Sequence, residues 1–302
     1  MNLRLKNNTN NKNNKNNNKN ENENENEKTK KQDLITFKEI PYWLQDNKYI
    51  EKGYRVNWNK TECLKSLTFI HNETWNIYIH FFGFILFIII LIKLVLSETF
   101  QKSTRTEKFF FVYYIFSVES CLGSSTVFHT FYCMSKNIKK KLLFIDLCGV
   151  IIIGSGSHIG PLFFIYRSFP FLQKLYLSLL ALSTSFYFVM SSTDTFQGYE
   201  KRWQRFGYYL IYALLGSVPV FHGLFIFPKE RYLPVFFSFF LMYLSYLIGI
   251  LLYQLRLPER FFAGKLDYFG QSHHFWHSLV IIASLFQFHT LLCGYSSEFC
   301  LF

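Results

Sequence analysis

TWNIYIHFFGFILFIIILIKLVL, Thr74–Leu96, is the stretch on which the fold turns. Its 23 residues hold one charged side chain, Lys93. At about 1.5 Å per helical residue they are long enough to cross the ~30 Å apolar layer of a bilayer. The same pattern recurs six times downstream. A window of about 20 apolar residues per crossing marks 109–135, 145–167, 171–192, 206–227, 231–255 and 272–294. The sequence therefore predicts an all-α fold, a bundle of seven transmembrane helices over 74–294. Ser168–Pro170 and Pro228–Arg231 leave room only for tight turns, so the third and fourth helices, like the fifth and sixth, form antiparallel hairpins. Composition agrees: half of the 302 residues are hydrophobic, with 37 Phe and 20 Tyr, more than the core of a soluble domain of this length needs.

The flanks read differently. Residues 1–39 are an Asn-rich tail with interspersed Lys and an Asn-Glu alternation over Glu21–Glu27, which buries nothing that offsets the cost of ordering a backbone and is expected to be disordered. No signal peptide is expected, because the first apolar block begins near Ile77, beyond the reach of a leader. Residues 40–73 mix Pro41, Tyr42, Trp43 and Leu44 with Lys52, Arg55, Lys60 and Lys65, an amphipathic juxtamembrane pattern; 295–302 form a short tail. Cys63, Cys121, Cys133, Cys148, Cys293 and Cys300 are scattered singly and read as small apolar fillers rather than disulfide or thiolate ligands. The formal charge of +12 sits mainly in short connections, which argues against a nucleic-acid partner. Lys and Arg before the first span and after the second, fourth and sixth outnumber those after the odd spans by roughly two to one. The positive-inside rule then places the N-terminus in the cytoplasm and the C-terminus outside, and the sequons at Asn7, Asn59 and Asn72 should carry no glycan.

Ionisable groups inside spans are costly unless paired or metal-bound, so each is a functional candidate. Ser125 and His129 lie one turn apart near the end of the second span, Asp146 opens the third, and His273 and His277 lie one turn apart at the start of the seventh. With alternating spans, all five fall at one depth on the cytoplasmic side. Two histidines at i, i+4 with a third from another helix is the arrangement of three-ligand zinc sites, which leave a fourth position for water. His80, His158, His222, His274 and His289 read instead as side chains hydrogen-bonded within the bundle or at its interface.

Several strings resemble the progestin and adipoQ receptor family, which includes adiponectin receptors and haemolysin III-like proteins. They are Gly53–Arg55 (GYR), His71–Phe84 (HNETWNIYIHFFGF), Ser124–Ser135 (SSTVFHTFYCMS), Ile145–Val150 (IDLCGV) and Pro258–His277 (PERFFAGKLDYFGQSHHFWH), in the family's order. The resemblance implies that His129, His273 and His277 bind Zn2+, with Ser125 and Asp146 beside them and Arg205 at the start of the fifth span as part of the catalytic surroundings. Trp75 stands where the family usually has Gly, and Leu147 where it commonly has Tyr. The function implied is a zinc-dependent hydrolase of lipid amides, ceramide-like in substrate, or a receptor in lipid metabolism whose zinc is structural; regulation of metal homeostasis is a third reading. The expected partners are membrane lipids such as ceramide, other sphingolipids or fatty acids, and an extracellular protein or steroid ligand. The expected location is the plasma membrane or an endomembrane.

Overall fold

The structure, a computed structural model, describes residues 33–193 and 201–296. The tail expected to be disordered lies outside the described residues up to position 32, as do residues 297–302 of the C-terminal tail. The chain divides into two units, Met1–Leu34 and Ile35–Phe302.

Seven long helices organise the second unit: α1 (Thr74–Leu96), α2 (Arg105–Phe131), α3 (Lys136–Ile165), α4 (Pro170–Ser191), α5 (Arg202–Ile226), α6 (Lys229–Leu255) and α7 (Ser272–Ser296). No strand occurs among the described residues; Ile35 and Tyr54 make one isolated bridge. Every long helix except α2 is long and apolar enough to cross a membrane. The exception has a physical reason. Packed between α1 and α3, α2 buries Ser117, Ser125, His129 and Thr130 along its inward face, so its polar residues point into protein rather than lipid. Outward faces carry Phe82, Phe116, Leu182, Phe225 and Phe237, all exposed, as a lipid-facing surface requires. Inside, Phe87, Phe111, Tyr114, Ile115, Val118, Leu122, Phe164 and Leu291 form one core, and Ile151, Leu162, Tyr166, Tyr187, Tyr212 and Tyr232 another.

Three helix starts lie four residues or more before the sequence expectation, those of α2, α3 and α5, and local capping explains the first two. Thr104 and Glu107 form a capping box that begins α2 at Arg105, four residues before its apolar block. Ser135 caps α3, its Oγ accepting the Ile138 N–H at 3.3 Å, so the basic run from Lys136 to Lys141 is helical. Asp146 therefore does not open α3; it lies almost three turns inside it, and capping belongs to Ser135.

α7 packs on α6, α3 and α1 and touches α2, which brings the histidines of α2 and α7 into one neighbourhood. The chain preceding α1 folds over this end. Read from the sequence as amphipathic, residues 40–73 turn Ile40, Leu44, Ile50, Tyr54, Trp58 and Cys63 inward and bury them. Residues 35–39 are also structured: the Thr36 N–H and hydroxyl both donate to Glu39, at 2.8 and 2.7 Å. Gly53 adopts φ +90°, open to glycine at little cost, and its carbonyl accepts the Asn72 N–H at 3.0 Å. The α6–α7 connection closes over the same segment. There Asn47 donates to Glu259 at 3.0 Å, the Glu51 N–H donates to Asp267 at 2.7 Å, and Arg256 pairs with Asp46 at 3.1 Å. Burial opposes ionisation of Asp46, but the charges of Arg256 and Lys139 outweigh it and hold the carboxyl below its usual range.

Candidate metal centre

α7 starts at Ser272, whose N–H and hydroxyl both donate to the buried Glu259, at 2.8 and 2.5 Å. That anchor sets His273 and His277 on one face of the first turns of α7. Across from them, α2 ends at Phe131, which places His129 in its last turn. The three rings form a nearly equilateral group: centroids are 4.9 Å apart for His129–His273, 4.9 Å for His129–His277 and 4.5 Å for His273–His277, with interplanar angles of 76°, 71° and 76°. One ring nitrogen from each lies within 4.8 Å of the others. Three imidazoles converging edge-on, two of them buried, form a donor set that suits a borderline divalent cation, so the residues present fit a metal ion.

Ser125, Asp146 and Arg205 line the same cavity as the three histidines, a volume of about 540 Å³. Ser125 is buried one turn before His129 and lies beside the Asp146 carboxyl. Arg205, in the first turn of α5, lines the cavity as well. Apolar and aromatic side chains make up most of the remaining wall, among them Leu143, Val150, Phe206, Leu247 and Trp276.

Four contributors escaped the sequence reading. Glu73, just before α1, accepts from or shares a proton with His129 Nδ1 at 2.7 Å. Asn76, one turn on, donates to Glu73 at 2.7 Å, and its main-chain carbonyl lies 3.2 Å from His277 Nδ1. His80, read as a background histidine, stacks on His277 with centroids 3.7 Å apart. Arg55, fully buried, donates to the main-chain oxygens of His129 at 2.7 Å and Thr130 at 3.1 Å, and to Ser66 Oγ at 2.7 Å. It thereby satisfies carbonyls left open where α2 ends. The strings around Gly53 and His71 mark these regions, but not which side chains in them face the site.

Other histidines behave as ordinary hydrogen-bonded polar groups, and of His158, His222 and His289 only His158 is buried. His158 bonds the Gly154 carbonyl and the Tyr243 hydroxyl, at 2.6 and 2.7 Å; His222 meets Tyr176 at 2.6 Å and His289 meets Ser238 at 2.7 Å.

Comparison with known proteins agrees with this layout. Residues 68–288 match the haemolysin-III-related family. An adiponectin receptor protein of Drosophila melanogaster is 32% identical over 259 residues, 84% of this chain. An ADIPOR-like receptor of Saccharomyces cerevisiae is 30% identical over 272 residues, covering 87% of this chain and 84% of that protein. Human progestin and adipoQ receptor family member 3 is 29% identical over 258 residues, 82% of each. Against the Drosophila protein and a Schizosaccharomyces pombe relative, the chain spans little more than half of the relative's length, 57% and 59%. A seven-helix bundle, histidines from its second and seventh helices meeting at one end, and a family match over most of the chain lead to one conclusion: this multi-pass membrane protein belongs to the haemolysin-III-related, progestin and adipoQ receptor family.

Proposed function

We propose that the chain is an intramembrane zinc-dependent hydrolase of lipid amides, with ceramide-like molecules as substrates. The observation that carries this reading is the meeting of His129, His273, His277, Ser125, Asp146 and Arg205 in one largely apolar cavity. Such a cavity suits a long-chain amide whose polar bond must reach the histidines while its chains stay among apolar walls.

His129, His273 and His277 would hold the zinc, which when bound polarises a carbonyl and makes water acidic enough to serve as a nucleophile near neutral pH. Asp146 accepts the water proton at a carboxylate oxygen and later delivers it to the departing amine nitrogen, as the C–N bond breaks to leave a fatty acid and a sphingoid amine. Ser125, beside that carboxylate, is placed to orient it with its hydroxyl. Arg205 offers a fixed positive charge for the carbonyl oxygen as it becomes negative. The test is hydrolysis of ceramide by the purified protein. Loss of turnover in Asp146→Asn and in His273→Ala, with folded protein retained, supports the reading; turnover unchanged in either variant removes this site as its source.

A second reading has its own support, since the similar proteins of fly, yeast and human are named as receptors. In it an extracellular ligand shifts the bundle between two states and the metal braces helices α2 and α7. Zinc bound at full occupancy, with ligand-dependent signalling and no turnover of any lipid amide, favours the receptor. In either reading we place the protein in the plasma membrane with its N-terminus in the cytoplasm.

A further inference from the structure

Glu73 occupies the position that caps α1, yet its side chain accepts no hydrogen bond from the helix's free N–H groups. Acidic residues at a helix start ordinarily do so, because those N–H groups otherwise lack partners. Here the carboxylate is turned away. One oxygen meets His129 Nδ1 at 2.7 Å and also takes the Asn76 amide at 2.7 Å, while the other accepts the Tyr132 hydroxyl at 3.3 Å. The backbone is turned too: the Glu73 N–H donates to His71 Nδ1 at 3.1 Å. A carboxylate with a side chain only 15% exposed needs donors, and each one it has fixes its direction toward His129.

The second contact of this turn has the same sense. The Asn76 carbonyl, one of whose lone pairs is free for a partner outside the helix, faces His277 Nδ1 at 3.2 Å. A carbonyl oxygen can only accept, so His277 carries its proton on Nδ1. A carboxylate facing His129 Nδ1 favours the same tautomer there. In both rings Nε2 is then the atom left with a lone pair for an ion. The Asn76 side chain joins the two contacts by donating to Glu73.

We infer that the opening turn of α1, through the Glu73 carboxylate and the Asn76 main-chain carbonyl, is a brace that holds His129 and His277 as Nε2 ligands. Glu73 is the positioning residue through which α1 sets the metal affinity of histidines borne on α2 and α7. This rests on the metal-site reading above. Outer partners that fix ligand imidazoles are typically worth 10- to 100-fold in metal affinity.

The experiment compares detergent-purified wild type, Glu73→Ala and Glu73→Gln by zinc titration against a chelator of known affinity, with thermal unfolding of metal-stripped and zinc-loaded samples. Glu73→Ala is expected to weaken zinc binding about 10- to 100-fold and to shrink the zinc-induced rise in melting temperature. Glu73→Gln, which keeps an acceptor oxygen and the side chain's shape, is expected to fall between the other two. Wild-type zinc affinity in both variants overturns the brace, whatever happens to stripped-protein stability. Equal destabilisation of stripped and loaded protein, with zinc affinity unmoved, overturns it as well by reducing Glu73 to a packing role. A wild type that binds no zinc overturns the metal reading together with the brace, a result plainly different from a zinc-bound wild type matched by its variants. Should Glu73→Ala fail to fold, the near-isosteric Glu73→Gln decides alone.

Discussion

Arg55 shows how much of the site rests on a residue that never meets the cavity. Its guanidinium is fully buried and donates to two carbonyls at the end of α2 and to Ser66. Arg55→Met should leave those acceptors unsatisfied and cost about 2–4 kcal/mol in thermal unfolding. Arg55→Lys should recover little, because a point ammonium cannot span the acceptors that a planar fork reaches. His71 makes a separate prediction. Burial is the largest cause of its depression and the Arg55 charge adds to it, taking the imidazole down to about 3. A depressed histidine stays neutral in the fold while the unfolded chain takes up a proton below about 6.5, so its stabilising share is complete above that pH and is lost as pH falls towards 3. At pH 5 the penalty is about 2 kcal/mol. His71→Asn, which keeps an acceptor near the Nδ1 position, should flatten the fall in melting temperature between pH 7 and pH 5 relative to wild type; an unchanged slope would contradict this. At this scale the sequence speaks through periodicity: His273 and His277 share a face by spacing alone. Glu73 leaves no such mark, since its partner His129 is 56 positions away and only the fold joins a residue before α1 to the last turn of α2.

Between elements, α2 and α3 approach closely at two glycines. A Cβ added to Gly156 would collide with Ser117, and one added to Gly149 would collide with Ser124 and stand 2.9 Å from Cys121 Cα. Small residues at such crossings let membrane helices come close enough for dispersion to hold them. Gly149→Ala should therefore cost about 1–3 kcal/mol and push Ser125 and Asp146 apart, lowering hydrolase turnover as well as the melting temperature. Gly207→Ala is the control, because nothing lies within 4 Å of its added Cβ; it should be neutral or slightly stabilising in the same assay. All seven helices are legible as apolar blocks, six of them apolar enough to cross a bilayer and α2 less so, because lipid demands apolar runs wherever a helix faces it. Their starts are less so. Capping by Thr104 and Ser135 extends α2 and α3 through polar residues that an apolar window excludes, and this is why Asp146 sits well inside α3.

For the whole molecule, the order of the chain is readable but the closure over the histidine end is not. Residues 40–73 and the α6–α7 connection hold each other through polar contacts such as Glu51–Asp267 and Asn47–Glu259, and hydrogen bonds between distant loops have no signature in hydropathy. Two of the sequons bear on topology. Asn59 spends its side chain as a helix cap, accepting the Glu62 N–H at 3.0 Å, and Asn72 is buried. Expressed in eukaryotic cells, the protein should show no mobility shift on deglycosylation, in keeping with a cytoplasmic N-terminal side; a glycan at Asn59 would reverse the orientation. Both functional readings share one requirement, that histidines from the second and seventh helices grip one metal ion. Elemental analysis of purified wild type against His129→Ala tests it most directly. About one zinc per wild-type chain and a large loss in the variant are expected; a wild type without zinc, or a variant that retains the full amount, would contradict this.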